Sequence, residues 1–167
     1  MMLMLLLVAG LQSAAAAWSP SAQGAWRGSA SPDLDVGLSS AATTVAMGST
    51  VPLKVRLASS RNAVSVSPML NVTRGIAYEV RGVDGRLVAP REPIAISPPT
   101  PPVGLDGLMT IRPDGPFVAV AGARAINLFP GPGRYRVRAV IFLMDIEERP
   151  TRRAKLISNE LVIDVTP

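Results

Sequence analysis

Beyond its first eleven residues, no useful window of the chain has apolar residues recurring at helical spacing; they recur at every second position instead. The clearest case is the Pro/Gly turn Pro130-Gly131-Pro132-Gly133 and the run behind it, Arg134 to Phe142, in which Tyr135, Val137, Ala139 and Ile141 alternate with three arginines. Such a turn can continue neither a helix nor a ladder. Successive residues of a strand face opposite sides, so the run predicts a half-buried strand with one apolar and one cationic face. Leu34-Val36-Leu38, Ile76-Tyr78-Val80 and Leu161-Ile163-Val165 repeat the pattern, as does Val51-Leu53-Val55-Leu57 with Pro52, Lys54 and Arg56 between. Val45–Met47, Leu108–Ile111, Phe117–Val120 and Ala123–Phe129 are shorter strand candidates. Asp84-Gly85 predicts a hairpin turn that returns through Leu87-Val88, and Pro113–Pro116 a second turn. Pro90, Pro93, Pro98, Pro99, Pro101 and Pro102 withhold ladder donors, so that stretch predicts a polyproline-like loop crossing between sheets. The predicted fold class is all-β.

Composition narrows the chemistry. The 167 residues include no His and no Cys. A Ser-His-Asp triad, a thiol nucleophile, thiolate or imidazole metal sites and disulfides are therefore excluded. Aromatics make up 4% of the chain, so the core must be aliphatic. A domain near this size can bury enough surface to fold without covalent staples. The net charge is +5, and all basic residues except Lys54 and Lys155 are arginine. These arginines are scattered from Arg27 to Arg153 rather than clustered, which does not point to nucleic acid as a partner.

Met1 to Leu11 is an uncharged apolar run, and Ala15-Ala16-Ala17 before Trp18 reads as an A-x-A cleavage site. Residues 1–17 are thus expected to be a signal peptide, helical as a leader, although no Lys or Arg precedes the apolar run. The run is shorter than a bilayer span, so no stable span is expected after cleavage. The protein is then periplasmic or secreted, and an uncleaved leader would anchor it to the membrane. Residues 18–32 are small, polar and Gly/Ser/Ala-rich, the composition of a flexible linker. Trp26 within it is either an aromatic anchor for a partner or a ring folded onto the domain edge. The folded domain is expected over 33–167.

Few side chains carry a functional signal. Arg134, Arg136 and Arg138 share one strand face, and Glu160 and Asp164 share the polar face of the last strand. A cross-strand charge ladder is expected from them, in preference to an anion-binding stripe. Asp145, Glu147, Glu148, Arg149, Arg152 and Arg153 crowd the loop before the last strand. Carboxylates so grouped could serve hydrolysis or hold Ca²⁺, but the neighbouring arginines would neutralise them, and a solvated contact loop is expected. Asp33 and Asp35 lack a third ligand, and Asn71-Val72-Thr73 is a glycosylation triplet of a kind that chance produces often. No cofactor, metal or catalytic constellation is expected.

The pieces VPLKVRL, GIAYEVRGVDGRLV, PGPGRYRVRAV and SNELVIDV together resemble bacterial immunoglobulin-like or fibronectin-III-like extracellular modules. More faintly, the strand–Asp/Gly turn–strand and the late Gly-x-Tyr strand are similar to the sandwich of the BsuPI-type proteinase inhibitors. The resemblance implies a Greek-key β-sandwich of about seven to nine antiparallel strands. It also implies that Tyr135 is the tyrosine corner of that fold, its hydroxyl bonded to backbone a few residues upstream. The expected function is a non-catalytic module with a structural, adhesive or protein-binding role, its partner another envelope or extracellular protein or a glycan. Candidate contacts are Asp145, Glu147, Glu148, Arg149, Arg152, Arg153 and Trp26. The alternative is an inhibitor that inserts an end loop into a protease cleft.

Overall fold

The computed structural model describes residues 34–66, 70, 72–95, 107–143 and 154–167, and these build an all-β fold of twelve strands. They are β1 Leu34–Ser40, β2 Thr44–Ala46, β3 Thr50–Val51, β4 Leu53–Ser59, β5 Val64–Val66, β6 Ile76–Arg81, β7 Met109–Ile111, β8 Phe117–Val120, β9 Ala123–Arg124, β10 Gly133–Leu143, β11 Ala154–Ile157 and β12 Leu161–Thr166. The leader, the linker, Asp33, Asn71 and the prolines from Pro98 to Pro102 lie outside the described residues.

One sheet has the order β1-β4-β8. The other is organised on β10, the longest strand, with β6 on one side and both β12 and β11 on the other, and β2 beyond β12. Two-stranded pairs β3-β9 and β5-β7 complete the ladder. The alternation read from the sequence decides which faces turn inward. Leu53, Val55 and Leu57 of β4, Val137, Ala139 and Ile141 of β10, and Ile163 and Val165 of β12 are all buried in one hydrophobic cluster. Lys54, Arg134 and Arg136 stand on the opposite faces, exposed.

Several expectations are corrected. The single strand expected over Val51–Leu57 is divided at Pro52, which has no N–H to donate, so β3 pairs with β9 while β4 pairs with β1 and β8. Ala123–Phe129 is a strand only at its start. It closes into a 3₁₀ turn over Ala125–Asn127, with the amides of Leu128 and Phe129 both donating to the Ala125 carbonyl at 3.0 and 2.8 Å. The run Ala125-Ile126-Asn127-Leu128-Phe129 has no alternation, and a turn lets consecutive apolar residues all face inward. The pairings are not all antiparallel: β2 runs parallel to β12, with Val45 beside Val165.

The second sheet also contains a bulge. The registers on β10 place Ser158, Asn159 and Glu160 opposite only Arg138 and Ala139. The Ser158 hydroxyl stands in for a ladder carbonyl: it accepts from the Ala139 amide at 2.8 Å and donates to the Asn159 carbonyl at 2.7 Å. The Asn159 side chain turns to the edge of β1 away from β4. Its Oδ1 accepts from the Leu38 amide at 2.7 Å, and its Nδ2 donates to the Leu38 carbonyl at 3.0 Å. A side-chain amide thus pairs with β1 as a strand residue would, and joins it to the second sheet.

Tyr135 opens β10 with its ring stacked on Phe129, centroids 4.9 Å apart, and its hydroxyl donates to the Gly131 carbonyl at 3.0 Å. Gly133 makes this packing feasible. Its φ is +151°, and a Cβ there would stand 3.2 Å from the Tyr135 hydroxyl oxygen. Removing only that hydroxyl leaves the stacking intact. Tyr135→Phe is expected to lower the unfolding free energy by about 1 kcal/mol, the net worth of one such bond, measured as a shift in urea midpoint at constant slope.

Candidate functional site

The outer face of the second sheet carries the charge ladder. Arg134 grips Asp164 bidentately, Nε to Oδ1 at 2.7 Å and Nη2 to Oδ2 at 3.1 Å. Glu160 is shared by Arg138 at 3.1 Å and Arg136 at 3.7 Å. Arg81 lies opposite Arg136 in register, but Glu79 holds its guanidinium at 2.7 Å and the Gly85 carbonyl accepts from it at 2.9 Å. The arginines of β10 are thus met by carboxylates of the same sheet, which leaves this face poorly suited to an anionic ligand.

The hydrogen bonds from Arg134 hold the Asp164 carboxyl below the usual carboxylate range. A depressed folded pKa contributes stability that is present above the unfolded pKa and lost as pH falls through the folded one. In an acid titration followed by NMR, Asp164 should therefore protonate at lower pH than a free aspartate. Arg134→Gln should move that midpoint back up, and an unmoved midpoint would show that the pair does not hold in solution.

A concave feature among the described residues lies elsewhere, at the edge of β6. The Asp84-Gly85 hairpin folds the chain back on that edge: the Gly82 amide donates to the Arg86 carbonyl at 2.9 Å and the Val88 amide to the Val80 carbonyl at 3.0 Å. Gly85 supplies the positive φ of +79° that the turn requires. Continuing the Arg81–Leu87 register sets Pro90 opposite Tyr78. Proline has no N–H, so the ladder stops there. The returning arm leaves the sheet and fastens to the 3₁₀ turn, with the Arg91 amide donating to Phe129 at 3.1 Å, the Glu92 amide to Ile126 at 2.9 Å, and Asn127 Nδ2 to the Glu92 carbonyl at 2.8 Å.

Between β6 and the departing arm lies a groove of about 290 Å³. Ile76 and Val80 form one wall, Val88, Pro93 and Ile94 the other, with Leu128 and Phe142 among the remaining lining residues. Phe142, in the groove lining, is 48% exposed. Tyr78 fixes the strand beneath it: its hydroxyl donates to the Ala121 carbonyl at 2.5 Å. Burial pushes the phenol pKa well up, so the hydroxyl stays protonated and keeps donating.

Among the described residues, no group of three His, Cys, Asp or Glu could hold a metal ion, and no helix is long and apolar enough to cross a membrane. The sequence-predicted contact residues Asp145, Glu147, Glu148, Arg149, Arg152, Arg153 and Trp26 lie outside the described residues. Reading the sequence for charged loops missed the groove. The available signal was positional: counting back from Asp84-Gly85 sets a proline opposite a strand residue. Neither a protein-family model nor a curated protein matches this sequence.

Proposed function

We propose that the chain is an exported, non-catalytic binding module built as an immunoglobulin-like Greek-key sandwich, and that it meets a protein partner through the groove beside β6. The strand order supports the fold reading. β1-β4-β8 corresponds to strands A, B and E of such a sandwich, and β6-β10-β12 to C, F and G. A tyrosine at the start of the F-like strand, bonded to backbone four residues upstream, also fits that pattern. Export rests on the apolar leader and its small-residue cleavage site.

The observation that carries the binding role is the apolar concavity between β6 and the departing arm. Concave apolar surfaces with a few fixed polar groups are where proteins bind ligands and peptides. The test is a photo-crosslinking amino acid at position 142 of the full chain, expressed in its own cells. A discrete adduct at 142, absent when the same group is placed at the exposed position 120 on β8, is expected. No adduct, or the same adducts from both positions, would overturn the reading.

A further inference from the structure

We infer that the tip of the Asp84-Gly85 hairpin is a lipid contact, seating Val83 and Leu87 at the boundary between the headgroups and acyl chains of an anionic membrane. This surface is distinct from the groove and does not depend on its reading. Val83 and Leu87 stand on either side of the turn and are 71% and 61% exposed. One exposed aliphatic side chain is ordinary on a protein surface, but two on a single turn make an apolar tip. The other exposed aliphatic pair, Val118 and Val120, lies along β8 in register with Arg56 and Lys54, so no such tip forms there.

The backbone of the turn favours lipid over a protein cleft. Both main-chain groups of Gly82, Gly85 and Arg86 are bonded within the hairpin. Besides the Gly82–Arg86 bond, the Gly85 amide donates to the Gly82 carbonyl at 3.0 Å and the Arg86 amide to Asp84 Oδ1 at 3.0 Å. Arg81 Nη1 donates to the Gly85 carbonyl at 2.9 Å. Groups satisfied internally can leave water without the cost of an unmade bond. They offer a protein cleft few directed contacts, whereas an acyl boundary demands none. The same bonds fix the turn in advance, so contact orders little that was free. Charge selects the lipid. Glu79 holds Arg81 at 2.7 Å, which neutralises that pair. The Arg86 side chain is 88% exposed, and Asp84, the carboxylate of the turn, reaches it only at 3.8 Å. An arginine so placed can extend to lipid phosphates while the aliphatic side chains sit deeper. The chain's net charge of +5 adds attraction to anionic headgroups.

The sequence contains no Cys, so Val83→Cys gives the full chain a single site for an environment-sensitive nitrobenzoxadiazole label. The labelled chain is titrated with vesicles of phosphatidylglycerol and phosphatidylcholine in equal parts. A blue shift and a rise in emission that saturate with lipid are expected. The lipid concentration at half-saturation should rise about tenfold with Leu87→Glu and about fivefold with Arg86→Gln. The same label at Val120→Cys should keep the emission it has in water. Equal blue shifts at positions 83 and 120 would place membrane contact elsewhere in the chain, the leader included, and overturn the inference. A response at 83 that Leu87→Glu leaves unmoved would overturn it as well. No response at 83, with a photo-crosslink from that position to a protein in cells, would give the tip to a protein partner instead. None of these results alters the adduct expected at position 142, so the groove reading is tested separately.

Discussion

Replacing Phe129 with alanine is expected to lower the unfolding free energy by about 3–5 kcal/mol, the usual cost of emptying a buried aromatic site. Phe129 is fully buried, and three features converge on it. Its ring stacks on Tyr135, its amide closes the 3₁₀ turn, and its carbonyl receives the amide of Arg91 on the groove arm. The side chain can relax little, because Tyr135 is itself tied to the Gly131 carbonyl. A loss of this size is a large part of a small domain's total stability. In urea the midpoint should fall steeply with little change in slope. A loss under 1 kcal/mol would mean that the Phe129–Tyr135 stack is not part of the packed core.

The second large effect is expected at the bulge. Ser158→Ala removes the oxygen that accepts from the Ala139 amide, and both residues are fully buried. A buried amide left unpaired costs about 1–3 kcal/mol. Asn159→Ala removes both bonds to Leu38 and should cost a similar amount, with a distinct signature. Hydrogen exchange at the Leu38 amide should accelerate more than at the β10 amides, because β1 loses its tie to the second sheet while β10 keeps its ladder with β6. Uniform acceleration across both sheets would refute a local role for Asn159.

The all-β class was legible because period-two alternation is a direct consequence of strand geometry. Arg134 to Ile141 showed both faces of β10, and Glu160 and Asp164 showed which strand would answer the arginines. Pairings that depend on distant residues were not legible. Nothing local marks Thr44–Ala46 as a strand that will run beside Val165. Asn159 reads locally as a turn former, and its role appears only when β1 is brought against the bulge. Val64–Val66 and Ala154–Ile157 are too short to stand out from other short β-branched or aliphatic stretches. Ala123–Phe129 was misread because apolar content alone cannot separate a strand from a turn buried on all sides.

The groove belongs to the same class of long-range consequence. Pro90 breaks a ladder that the Asp84-Gly85 turn begins, and a cavity results only because Phe129 and Ile126 receive the diverted arm. The proline-rich stretch read as a connection between sheets; its first proline also spaces the arm from β6.

The parallel pairing of β2 with β12 has a mechanical consequence. One strand lies near the beginning of the described fold and the other ends it, and both run in the same direction. Tension applied along the chain from its two ends draws such strands past each other along their axes. Bonds between them are then strained together and must rupture collectively, whereas a hairpin drawn from its open end unzips one rung at a time. Constant-velocity stretching of the chain in an atomic force microscope should therefore give a distinct force peak. Thr44→Pro, next to the bond from the Asp164 amide to the Thr43 carbonyl at 2.7 Å, should lower that peak. An unchanged peak would place the resisting contact elsewhere.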